Sequence, residues 1–77
     1  MIEEGIKKYG YLAAARKSSL MRQGELARKI GCGVSHIVDL EKEPGKITLE
    51  ELGKVYQVVG TDGKVVLEKL VSDFFVA

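Results

Sequence analysis

The sequence predicts a single all-α domain, on three observations. Apolar residues recur at three- and four-residue spacing along nearly the whole chain. Glycine and proline punctuate those periodic stretches at Gly31, Pro44-Gly45 and Gly60. Strict apolar–polar alternation is missing even where β-branched residues cluster: Val65, Val66 and Leu67 are consecutive, and Glu68-Lys69 follow together. With 77 residues there is room for one domain, spanning 1–77. A chain of that size buries only about 60% of its unfolded surface, so its core is marginal and a dimer would add to it.

Five helices are expected. The first runs from Ile2 to Lys17, with Ile2, Ile6, Tyr9 and Ala13 on one stripe and Leu12 beside it. Glu3 and Glu4 at its start and Arg16 and Lys17 at its end suit the helix dipole. Gly5 and Gly10 each make it about 1 kcal/mol less favourable than Ala would. A second helix fits Gln23 to Ile30, stopping at Gly31, and a third fits Val34 to Lys42. The fourth starts at a T-x-x-E capping box, Thr48 with Glu51, carries Leu49, Leu52, Val55, Tyr56 and Val59 on its apolar face, and stops at Gly60. The fifth spans 62–75, with Thr61 or Asp62 as its cap and Val66, Leu67, Leu70, Val71, Phe74 and Phe75 at helical spacing.

Net charge is only +1, but its distribution is uneven. Between Lys7 and Lys29 seven basic residues face the single acid Glu25; between Asp39 and Glu51 five acids face Lys42 and Lys46. One part of the chain attracts phosphate and another repels it. The lone Cys32 excludes an internal disulfide and fits a reducing cytoplasm. The opening residues hold no long apolar run, so a signal peptide is not expected, and no stretch approaches a membrane span.

Residues 23–42 carry the functional signal. Two short helices packed steeply across a tight turn need a small residue on the inner face of the first, and Ala27 is there. Leu26, Ile30 and Cys32 seal the angle, Gly31 tolerates positive φ in the turn, and the second helix buries Ile37 and Leu40. The stretch resembles the helix-turn-helix domains of the Cro/lambda-repressor (XRE-type) family over roughly Leu12 to Gly60. Gln23 and Leu26-Ala27 resemble its S-Q-x-x-L-A, with Arg22 in place of Ser. Ile30-Gly31-Cys32 resembles L-G-V, Ile37 to Glu41 resembles I-x-x-L-E, and Thr48-Leu49 with Leu52 resembles S/T-L-x-x-L.

The resemblance implies a five-helix lambda-repressor-like DNA-binding domain whose third helix enters the major groove. It implies Val34, Ser35, Val38 and Asp39 at base edges, and Arg22, Gln23, His36, Lys42 and Lys46 at or beside phosphates. It also implies a structural ion pair between Arg16 and Glu41. The reading face has no Arg, Gln or Asn, unlike most of the family, and Arg22 and Gly33 stand where Ser or Thr would cap the second and third helices. Bland alternatives stand beside several residues. Cys32 is either a redox switch or a small buried hydrophobe, His36 touches DNA or is only solvated, Arg28-Lys29 touch phosphate or form a solvated face, and Tyr9 and Tyr11 stack on bases or pack.

The implied function is a sequence-specific, duplex-DNA-binding transcriptional repressor in the cytoplasm, acting as a homodimer on a palindromic operator. The dimer is expected on Val66, Leu67, Leu70, Val71 and Phe74, because that stripe exceeds what five short helices would bury and its phenylalanines lie near the end of the chain. Alternatives within DNA binding are an antitoxin, with a toxin on a second surface, or a restriction-modification controller protein. Outside it stands a protein-interaction module without DNA binding. No enzyme, metal or other cofactor is expected. One His and one Cys have no third partner, Glu50-Glu51 are explained by capping, residues 60–64 are too short for a phosphate-binding loop, and Gly31-Cys32-Gly33 is a turn rather than a dinucleotide fingerprint.

Overall fold

The computed structural model describes residues 2–75. Within them the chain forms α1 (Ile2–Tyr9), α2 (Tyr11–Ser18), α3 (Gln23–Ile30), α4 (Val34–Lys42), one 3₁₀ turn (Pro44–Lys46), α5 (Leu49–Val58) and α6 (Thr61–Phe74), with no strand among the described residues. The expected all-α class is present, with six helices where five were expected.

The extra helix comes from Gly10. It takes φ +84° and ψ 170°, a region essentially restricted to glycine. Its N–H donates to the Ile6 carbonyl and its own carbonyl accepts from Ala14 N–H, each at 2.9 Å, so it closes α1 and opens α2 at once. The expected helix from Ile2 to Lys17 is therefore broken in two. A side chain at this position would also approach the Glu41 carbonyl to 3.3 Å, which lets the start of α2 lie against the end of α4. The side chain of Ile2, first member of the expected stripe, lies outside the described residues, as do Met1, Val76 and Ala77.

Helix α2 is the central element. Leu12, Ala13, Ala14, Ala15 and Arg16 are all buried, because α1, α4 and α6 surround it. The alanine run lets α6 come close. At Gly63 of α6 an added Cβ would lie 3.0 Å from the Ala15 carbonyl oxygen and 2.7 Å from Val59 Cβ, so only glycine fits. That close packing corrects the expected dimer stripe. Val66, Leu67 and Leu70 are at most 1% exposed within the single chain, where they join Leu12, Leu26, Ile37 and Val55 in the core. Of the five residues assigned to an interface, only Val71, half-buried, and Phe74, half-exposed, keep accessible surface.

The remaining boundaries follow from local chemistry. Thr48 Oγ1 accepts from Glu51 N–H at 3.1 Å and Glu51 Oε1 accepts from Thr48 N–H at 2.9 Å, completing the capping box of α5. Helix α5 ends with Val59 as its C-cap, not at the expected Gly60, which follows in extended backbone and donates its N–H to Ser19 Oγ at 2.9 Å. Gly60 is also the N-cap of α6, whose first residue is Thr61, so neither Thr61 nor Asp62 has the capping role expected of it.

Between α2 and α3, Leu20 adopts φ +60° with 92% of its surface exposed. A left-handed leucine costs roughly 1–2 kcal/mol, and this one recovers almost nothing by burial. Replacing Leu20 with Gly should raise stability by about 0.5–1 kcal/mol, after allowing for the greater freedom of glycine in the unfolded chain. Urea denaturation measures this; an unchanged or lowered midpoint contradicts it.

Candidate nucleic-acid interface

Helices α3 and α4 meet across a turn in which Gly31 is left-handed, at φ 79° and ψ 36°. The N–H groups of Gly31 and Cys32 both donate to the Ala27 carbonyl at 2.9 Å, closing α3 and reversing the chain within three residues. Leu26, Ala27 and Ile30 of α3 and Ile37 and Leu40 of α4 are buried. The opposite side of α4 is thereby turned outward: Val34, Ser35 and Asp39 are exposed, and Val38 is half-buried beside them. Periodicity places residues 34, 35, 38 and 39 on one face over the first turns of the helix.

The end of α4 is fixed by a buried ion pair. Arg16 Nε lies 2.6 Å from Glu41 Oε2 and its Nη2 donates to Oε1 at 3.3 Å, with about one tenth of each side chain exposed. Arg16 Nη1 also donates to the Met21 carbonyl at 2.9 Å. Gln23 Nε2 donates to Glu41 Oε1 at 2.9 Å, so the side chain expected on a phosphate is drawn into this network and braces the start of α3. No side-chain hydrogen bond caps α3 at Arg22 or α4 at Gly33. The first turns of both helices therefore keep their partial positive charge uncompensated by a side-chain cap.

His36 is exposed beside Asp39, and its imidazole also hydrogen-bonds Glu51, the residue that completes the α5 capping box. Sequence reasoning missed this link, since the two residues lie fifteen apart on separate helices with no shared pattern. Glu51 is consequently held below the ordinary carboxylate range, first by the Thr48 N–H and then by His36. Cys32 is half-buried, and its thiol is pushed up by burial and then by the nearby Glu51 charge, which disfavours the reactive thiolate.

The other basic residues of α3, α4 and the 3₁₀ turn are exposed. Arg22 flanks the start of α3, Arg28 and Lys29 lie on its last turn, Lys42 ends α4, and Lys46 sits in the 3₁₀ turn. Lys46 Nζ lies 3.3 Å from Glu43 Oε1 in a solvent-exposed pair, worth at most about 1 kcal/mol. His36, Asp39, Leu40, Glu43 and Lys46 line a shallow cleft, which places two acids beside that lysine. The tyrosines are engaged within the chain: Lys17 Nζ lies 3.7 Å from the Tyr9 ring centre, and the Tyr11 hydroxyl donates to Asp73. That bond, more than burial, raises the Tyr11 pKa.

The family model described as Helix-turn-helix matches residues 12–62. The chain belongs to the helix-turn-helix family of the XRE, or Cro/cI, type. Members of that family are DNA-binding regulators and are generally not enzymes. The matched segment begins in α2 and ends at the start of α6, so it holds the whole α3–α4 unit with the helices that brace it. No curated protein and no solved structure matches the chain. Among the described residues no helix is long and apolar enough to cross a membrane.

Two outcomes follow for this helix-turn-helix domain. Glu41→Ala leaves Arg16 charged and buried without its partner, and should cost about 3 kcal/mol in urea denaturation, whereas Arg16→Met with Glu41→Leu recovers most of it. A loss below 1 kcal/mol would contradict the structural weight given to the pair. Glu51 binds its proton less tightly in the folded chain than in the unfolded one. Its contribution to stability is complete above the unfolded-state pKa and disappears as pH falls through the lower folded value. The urea midpoint should drop across that acid window, and Glu51→Gln should flatten the drop; identical pH profiles for the two proteins would contradict it.

Proposed function

We propose that this chain is a transcriptional repressor that binds duplex DNA sequence-specifically as a homodimer, with α4 in the major groove of each half of a palindromic operator. The observation that carries the reading is the division of α4 into two sides. Ile37 and Leu40 are locked into the core while Val34, Ser35 and Asp39 stand exposed at its start. A reading helix needs both: an anchor that fixes its pose and a free face at the end that enters the groove.

On that face Val34 suits a thymine methyl, Ser35 donates or accepts, Asp39 accepts from a cytosine amino group, and Val38 adds apolar contact. Arg22, the uncapped start of α3, Lys42 and Lys46 supply the backbone contacts that set register. Gln23 contributes through its position in the first turn of α3, since its amide is held by Glu41. With no Arg, Gln or Asn on the face, each base contact discriminates modestly, and two half-sites are needed for useful specificity. The surface left for a second copy is the groove between α5 and α6, where exposed Leu49 and Tyr56 flank Val71.

Two acids, Asp39 on the reading helix and Glu43 at its end, favour one second reading, a protein-interaction module that has lost DNA binding. Selection from random duplexes followed by binding at several salt concentrations separates the two. A repressor enriches a palindrome with half-site centres about 10 base pairs apart, bound by two chains. Its affinity falls steeply with salt, with a log–log slope of about −0.9 per phosphate contact. No enriched sequence and no salt dependence would overturn the repressor reading in favour of the interaction module.

A further inference from the structure

We infer that Phe74, near the end of α6, is a positioning residue for DNA binding that holds the Pro44–Lys46 turn so that Lys46 meets a phosphate; this rests on the DNA-binding reading above. The turn is three residues long, and 3₁₀ hydrogen bonds have poorer geometry than α-helical ones. Its internal ties are Lys46 N–H to the Glu43 carbonyl at 3.0 Å and Ile47 N–H to the Pro44 carbonyl at 3.2 Å. Ile47 is buried and fixes the far end, but Gly45 and Lys46 are exposed. The one side-chain bond of Lys46 is the exposed pair with Glu43, which is too weak to set where the turn lies.

Phe74 supplies the missing constraint. Its ring lies flush against Gly45: a Cβ there would be 2.9 Å from Cδ1 and 3.2 Å from Cε1, so the contact depends on glycine at that position. Tyr11 backs the ring from α2 in an edge-to-face contact, with centroids 5.5 Å apart and planes at 82°. The Tyr11 hydroxyl in turn donates to Asp73, the residue before Phe74, so the last turn of α6 is tied at two adjacent positions. A half-exposed phenylalanine at the end of the last helix thus has a partner within its own chain, and that partner is the turn that carries Lys46. Phe74 stands twenty-eight positions after Lys46 in the sequence, and no motif links them.

The test is a coupling measurement on the intact chain, with duplex DNA carrying the selected site. Lys46→Ala should reduce the salt slope by about one per chain. Phe74→Ala should reduce it in the same direction by a smaller amount, with no further reduction in the Lys46→Ala background. In the Lys42→Ala background it should act in full, because Lys42 is on α4 and not on the turn. Phe74→Leu, which keeps an apolar side chain, should restore much of the slope. Gly45→Ala, which drives ring and turn apart, should imitate Phe74→Ala and carries the test if the latter fails to fold. Reduced thermal stability with an unchanged salt slope, or full additivity with Lys46→Ala, overturns the inference while leaving DNA binding intact. Wild-type protein that binds no duplex overturns both.

Discussion

Arg16 and Glu41 meet where three helices converge, and the pose of the reading helix depends on that meeting. Arg16 comes from the end of α2, Glu41 from the end of α4, and Gln23 from the start of α3, with the Met21 carbonyl accepting from the third guanidinium nitrogen. A charge pair removed from water is favourable only when its leftover donors and acceptors are also met. Here each guanidinium nitrogen and each carboxylate oxygen has at least one partner, and among the described residues no buried side-chain nitrogen or oxygen lacks one. The geometry has a backbone precondition as well. Gly10 allows the start of α2 to approach the Glu41 carbonyl, which a residue with a side chain would obstruct. Apolar packing through Ile37 and Leu40 says that α4 is buried on one side; the ion pair says at which angle and height.

The second constraint is economy of core. In a chain this short the long C-terminal helix cannot be spared for a partner, and α2, with three consecutive buried alanines, gives it a close seat. Val66, Leu67 and Leu70 complete the core that also holds Leu26 of α3 and Ile37 of α4. The large apolar side chains left outside are distributed over several elements, among them Leu20 before α3, Val34 on α4, Leu49 and Tyr56 on α5 and the phenylalanines at the end of α6. Phe74 is in part accounted for by Gly45 and Tyr11.

Features written into a few consecutive residues were legible. The Thr48–Glu51 box works through four residues of local backbone, and the left-handed Gly31 works through one, so both stand in the structure as the sequence indicates. The helix-turn-helix itself was legible because small, apolar and turn residues must fall at set distances within twenty positions. Features that depend on which surfaces meet were not. Gly10 reads in sequence as a weak helix residue, and nothing local distinguishes that from the φ of +84° that splits the helix. The apolar stripe of α6 was visible, but whether its partner is α2 or a second chain is a question of volume, settled by alanines fifty residues away. His36 pairs with Glu51 because α4 and α5 happen to lie side by side there, a proximity that no spacing encodes.

The central claim is that the exposed start of α4, together with the start of α3 and the turn at Lys46, is the surface that meets DNA. Backbone amide spectra of labelled protein, recorded while a duplex carrying the selected site is added, test it residue by residue. The account predicts the largest shifts at residues 22–25, 33–39 and 45–46, with α1 and the buried face of α6 nearly unchanged. Shifts concentrated on α1 or on the groove between α5 and α6, with the start of α4 undisturbed, would contradict it.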